Sequence, residues 1–186
     1  MKLTLLLFLL SLFCACASIT SSPSENSMPS PLNRMQPDHL PTPFSSELIR
    51  ESCTAGAFRE FHVVSNGMEL TQKLTFRQGD DLGAAFHVSL TGADGGEPQE
   101  SDAPFTLWTK FQSHASYPAA ETTVDLVTVS VPAGTFDCWL YTQTDQLGTV
   151  SETYFAIELP GPPVLSTSRT AGGSEITRLE LLSFGK

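Results

Sequence analysis

Four histidines, four cysteines and a few paired carboxylates are the residues of this 186-residue chain whose types suit chemistry. A metal site would need two ligands within a turn or across a hairpin, and none of His39, His62, His87 and His114 has such spacing to another His or Cys. Asp80-Asp81 and Asp94 sit beside glycines, where an aspartate side chain bonds its own backbone. The Asp-x-Asp-x-Asp-Gly order that wraps a calcium ion is absent. A nucleophilic hydrolase wants a serine on a glycine-flanked elbow or a cysteine partnered by histidine. No Gly-x-Ser-x-Gly occurs, and Cys138 is flanked by residues expected inside a strand. No Gly-rich phosphate loop precedes a helix. The chain therefore reads as non-enzymatic, with no cofactor and no metal. Catalysis would require His62, His87 and acidic side chains to meet in one cleft.

The cysteines divide into two pairs. At the N-terminus Lys2 is followed by an apolar run over 3–13, and Ala15-Cys16-Ala17 supplies small residues for a signal peptidase. The run is well short of the ~18 residues of a spanning helix, so residues 1–17 are expected to be an export signal. Cleavage after Ala17 releases a soluble chain. Cleavage before Cys16 leaves a cysteine for lipid attachment, and Leu12-Phe13-Cys14-Ala15-Cys16 resembles a bacterial lipobox in its Ala-Cys pair. Residues 18–46 are rich in Ser and Pro and offer little to bury, which predicts a disordered tether. Cys53 and Cys138 remain for the folded region 47–186. Export to an oxidising compartment makes them a disulfide candidate, and two buried thiols are the alternative.

Ten basic residues stand against twenty acidic ones, with no Lys/Arg cluster. A nucleic-acid surface is excluded on that ground, and membrane contact is expected only through an N-terminal lipid.

The elements that would position any site are strands. Val127, Val129 and Val131 alternate with Thr128 and Ser130, Pro132 and Gly134 turn the chain, and Phe136, Cys138 and Leu140 then share one face while Trp139 and Tyr141 share the other. Asn66-Gly67 marks a second hairpin between strands over 58–64 and 68–78. Further strands are expected over 84–90, 149–157, 164–170 and 175–184, and a short helix follows the serine cap of Ser45. From 92 to 122 the signal weakens: Phe105, Trp108 and Phe111 suit a short helix, while a strand or loop competes. Short connections force antiparallel neighbours. The expected fold is mainly β, a curved antiparallel sheet or open β-barrel of seven or eight strands with a short N-terminal helix.

Ala55-Gly-Ala-Phe-Arg-Glu-Phe-His62, Val131-Pro-Ala-Gly-Thr-Phe-Asp-Cys138 and Phe155-Ala-x-x-Leu-Pro-Gly-Pro-Pro163 together resemble uncharacterised bacterial envelope proteins and lipoproteins. Their Val-Pro-Ala-Gly-x-Phe hairpin is similar to that of domains like the bacterial lipoprotein-localisation factors. The resemblance, over roughly residues 47–184, implies an open β-barrel wrapped on a helix around an apolar cavity, located in the periplasm or anchored at the outer membrane. Phe58, Phe61, Phe76, Phe86, Phe136, Trp139 and Phe155 fall on predicted strands. In a filled barrel they are core, and the domain is an envelope structural or interaction module without ligand. In an open one they line a pocket for a lipid or other apolar ligand, with a lipid or a lipoprotein as partner.

Overall fold

The structure, a computed structural model, describes residues 28–186. The expected signal peptide, the Cys16 lipidation position and the start of the tether lie outside the described residues. Nine strands form one open antiparallel sheet: β1 (Phe58–Ser65), β2 (Met68–Gly79), β3 (Gly83–Gly92), β4 (Gln99–Leu107), β5 (Thr122–Val131), β6 (Gly134–Thr144), β7 (Val150–Ala156), β8 (Leu165–Arg169) and β9 (Glu175–Gly185). Two short helices accompany it, α1 (Ser46–Ser52) and α2 (Trp108–Ser113).

The spatial order is β4-β3-β2-β1-β9-β8-β7-β6-β5. Two meanders, β1 to β4 and β5 to β9, each follow chain order, and the pairing of β1 with β9 joins them. The segment carrying α2 is the one connection between them, so it must travel from one edge of the sheet to the other.

Local chemistry explains the turns. Asn66 and Gly67 both have positive φ, 50° and 78°, the two-residue loop that matches the twist of paired strands. At the β2–β3 turn the Asp80 carboxylate accepts the backbone N–H groups of Leu82 and Gly83 at 2.8 and 3.0 Å. The β5–β6 hairpin pairs without interruption from Thr122↔Gln143 to Val131↔Gly134. Helix α1 begins at Ser45, whose hydroxyl accepts from Leu48 N–H, with Glu47 in the first turn.

The fold class is as expected, with one strand more than the seven or eight counted in the sequence. The extra strand is β4, hidden because Pro98, Pro104 and several carboxylates break any apolar alternation. As an edge strand it pairs only with β3, and the register shifts between Ala84 and Phe86 alongside Pro104. Proline is tolerated at such a place because no ladder donor is needed there. Phe105 belongs to β4 and is half-exposed, while Trp108 and Phe111 lie on α2 with ring centroids 5.6 Å apart.

A second correction concerns the tether. Within the segment expected to be disordered, residues 39–44 are packed onto the domain as a strap, while most of 30–38 is exposed. Thr42 is fully buried and Phe44 nearly so. Leu40 N–H donates to the Tyr117 carbonyl at 2.9 Å, and the Tyr141 hydroxyl donates to the Pro41 carbonyl. A Pro/Ser-rich segment carries no apolar period, but its backbone groups bond into the domain and one phenylalanine anchors it, so tertiary contacts offset its ordering entropy.

Candidate functional site

The apolar interior is split. One cluster gathers Phe61, Val131, Cys138, Ala156, Val164 and Leu181 around the middle of the sheet. The other gathers Phe44, Ile49, Phe76, Trp108, Trp139, Tyr141 and Phe155 between the sheet and the layer made by the strap, α1 and α2. Beside this second cluster lies a cavity of ≈ 460 Å³.

Its walls come from both layers. Leu74 and Phe76 on β2, Phe86 on β3, Thr153 and Phe155 on β7, Ser166 on β8 and Leu179 on β9 face inward. Pro43 and Phe44 of the strap, Ile49 of α1, Phe111 and Gln112 of α2, then His114, Ala115 and Tyr117, close the opposite side. Gly161, Pro162 and Pro163 close one end. Among the described residues no Asp, Glu, Lys or Arg lines it, and His114 on its wall is exposed.

Polar contacts hold the covering layer. Gln112 is buried and bridges two ways: its Oε1 accepts Ser46 N–H at 3.1 Å, and its Nε2 donates to the Thr42 hydroxyl at 3.0 Å. The Trp108 indole donates to the Asp80 carbonyl at 2.8 Å. Burial raises the Tyr117 phenol above its ordinary range, against a lowering hydrogen bond with Thr153. Burial pushes Tyr141 further up. Both are therefore neutral hydroxyls near the cavity, suited to donate a hydrogen bond and not to carry charge.

Of the seven aromatic pocket candidates, Phe76, Phe86 and Phe155 line the cavity. Trp139 packs in the same cluster without reaching the wall. Phe61 and Phe136 belong to the filled cluster, and Phe58 is a half-buried strand residue with the Lys73 ammonium 4.5 Å from its ring centre. The missed lining residues, Phe44, Phe111 and Tyr117, come from the segments with no readable period. Phe111 alone had a signal, its spacing from Trp108.

The disulfide expected between Cys53 and Cys138 is absent: both are buried free thiols. Trp139 and Tyr141 share the cluster of Cys53, whereas Cys138 points with Phe136 into the other cluster. Strand alternation therefore puts the β6 backbone between the two sulfurs. Burial pushes each thiol up to about 11, which makes them inert at neutral pH.

His62 and His87 do not meet. His87 pairs across β3 and β4 with Asp102 (Nδ1, 2.7 Å) and Glu100 (Nε2), while His62 has Glu69 at 3.4 Å. By register both occupy the face away from the cavity, since His87 adjoins Phe86 and His62 is paired with Thr71, three residues from Leu74. Each nitrogen of His87 is engaged by a different carboxylate, so the three groups bracket the ring and do not converge on a point a metal could occupy.

No protein-family model matches the sequence, and no curated protein matches it. Solved structures do match in shape. MucB is 20% identical, with 75% of this chain and 56% of that one aligned at a TM-score of 0.52. MucB in complex with MucA(peri) aligns over 75% and 53% at 15% identity and 0.52. The MucA/MucB complex of Pseudomonas aeruginosa aligns over 69% and 50% at 18% identity and 0.53. The chain thus spans about half the length of these MucB chains, and what it shares with them at these identities is the fold alone.

Proposed function

We propose that this is an exported, non-enzymatic protein of the bacterial envelope that holds a lipid or other apolar ligand in the cavity between sheet and covering layer. The observation that carries the reading is the void itself: ≈ 460 Å³ walled by Phe44, Phe76, Phe86, Phe111 and Phe155, with no carboxylate, ammonium or guanidinium among the described residues on its surface. That volume lies within the roughly 300–1,000 Å³ of ligand pockets. Each methylene moved there from water contributes about 0.8 kcal/mol. The signal-like N-terminus and the Cys16 context support export, with a lipid anchor as the route to the membrane.

Native mass spectrometry of the protein extracted gently from its own membranes tests the reading. A bound mass that leaves on denaturation, with the mass of a lipid, is the expected result. A bare polypeptide that also takes up no added fatty acid or lysolipid overturns it. A second reading, an envelope module that recognises a protein partner through an exposed surface, takes its support from the MucB structures that contain MucA. Co-purification of a stoichiometric protein with an empty cavity would favour it.

A further inference from the structure

Arg59 is 3% exposed. A guanidinium so buried is ordinarily matched by a carboxylate, because the cost of leaving water is several kcal/mol per ion. Here Nη1 donates to the Phe58 carbonyl at 2.9 Å, Nη2 reaches the Ser52 hydroxyl at a long 3.4 Å, and Nε has no partner. The Phe184 ring centre lies 5.6 Å away. Among the described residues no carboxylate is within salt-bridge reach, and the ionisable group that interacts with it is the neutral Cys53 thiol. The fork thus has one unpartnered nitrogen, one weakly used nitrogen and no counter-ion among the described residues.

Its place in the fold relates it to the cavity. Arg59 is the direct register partner of Leu74, a lining residue, and so sits on the inner face. It is tied to the last residue of α1, one turn beyond the lining residue Ile49. Cys53 links the two: it is the ionisable neighbour of the guanidinium, its thiol donates to the Pro160 carbonyl at 3.8 Å, and a Cβ on Gly161 would stand 2.9 Å from its sulfur. Gly161 itself lines the cavity.

We propose that Arg59 is the anion-receiving end of the cavity, so that the ligand is an amphiphile whose chain fills the void and whose oxyanion head, a carboxylate or a phosphate monoester, reaches the guanidinium by parting Cys53 from the 160–163 loop. The inference rests on the apolar-ligand reading above and names the head group that reading leaves open. A single buried cation at one end of an otherwise uncharged cavity sets the orientation of the chain. It also discriminates against neutral lipids of the same length, since a ligand without an anion opens the loop and leaves the charge unmatched.

The test uses calorimetric or fluorescence titration of the full mature chain with three probes sharing one alkyl chain: hexadecanol, hexadecanoate and hexadecyl phosphate, each below its micelle concentration. Either anion is expected to bind roughly 10- to 100-fold more tightly than the alcohol. The stronger of the two identifies carboxylate or phosphate as the head. In Arg59→Met both anions should fall to the affinity of the alcohol while the alcohol itself is unaffected, and Arg59→Lys should keep part of the preference. Equal affinity of wild type for alcohol and anions overturns the assignment while leaving the apolar cavity standing. An anion preference that survives in folded Arg59→Met overturns it too. Failure of all three probes to bind removes the apolar-ligand reading and this inference together. Should Arg59→Met not fold, the wild-type comparison decides alone.

Discussion

The two halves of the interior are built from the same residue types on the same sheet, yet one is filled and the other hollow. Around Phe61, Val164 and Leu181 the β5–β6 turn closes onto β9: Ala133 N–H donates to the Leu181 carbonyl at 3.2 Å, and Val131 and Ala133 pack into the cluster. Backbone that close leaves side chains no space to bridge. Under the strap and α2 the covering layer is held off by large rings, with Phe76, Phe86 and Phe111 in a mutual triangle of 5.8 to 6.3 Å and Phe155 edge-on to Tyr141 and Phe44. Rigid rings meeting at their edges span a gap without filling it. What separates core from pocket here is the height of the second layer above the sheet, not the hydrophobicity of the strand residues.

That contrast can be broken most sharply by truncation. Leu181→Ala in the filled half should destabilise by about 2–5 kcal/mol, because a residue in continuous contact leaves a new cavity. Phe86→Ala, half-buried on an existing void, should cost less than about 2 kcal/mol for all its larger size, since it enlarges a cavity and creates none. Urea midpoints at unchanged m-values measure both, and equal costs would show the void to be filled in solution.

The contact of Cys53 with the 160–163 loop is the next test. Gly161 has φ 129°, and a methyl there meets the Cys53 sulfur. Gly161→Ala should cost roughly 1–3 kcal/mol from backbone strain with the contact added. Adding Cys53→Ala should recover the contact part and not the strain. A double-mutant cycle on denaturation free energies separates the two, and strict additivity would deny the contact.

The layer's polar tie comes third. Gln112→Ala strips partners from Ser46 N–H and the buried Thr42 hydroxyl, for an expected loss of about 1–3 kcal/mol, with faster hydrogen exchange in the strap than in β9 as its local signature. Uniform acceleration across both would mean that the strap and sheet open as one unit.

The smallest effect lies on the outer face, remote from both interiors. Hydrogen bonds accepted from its ring by Asp102 and then Glu100 raise the pKa of His87. A raised folded-state value means that this clasp of β4 onto β3 contributes fully below the ordinary histidine pKa of about 6.5 and is lost as pH rises through the raised one. At the acid side the contribution fades as Glu100, lowered by Ser89 and His87, and Asp102, lowered by His87, become protonated. Melting temperature should therefore decline slightly above neutrality in the wild type and not in His87→Gln. An identical decline in both would assign the pH dependence elsewhere.

Much of the fold was legible. The Asn66-Gly67 turn, the Val127 to Tyr141 alternation and the serine-capped helix α1 are local features whose physics is complete within a few residues. Strand β4 was not legible, since an edge strand paired on one side needs no apolar period and accepts Pro104. Of the site, the strand half was partly readable: Phe76, Phe86 and Phe155 were named among seven aromatics that nothing in the sequence could divide into core and wall. Phe44 and Tyr117 were invisible, because the segments that carry them gain order only from contacts distant in the chain.

By itself the sequence determined that this protein is a mainly antiparallel sheet with aromatic residues on its strands, because alternation and turn chemistry act over neighbouring residues. Only the tertiary structure decided that the strap covers the sheet, that Cys53 and Cys138 stand on opposite sides of β6, that a void remains under α2, and that Arg59 is buried without a counter-ion among the described residues. Each of these depends on the distance between layers, and residue type alone does not set that distance.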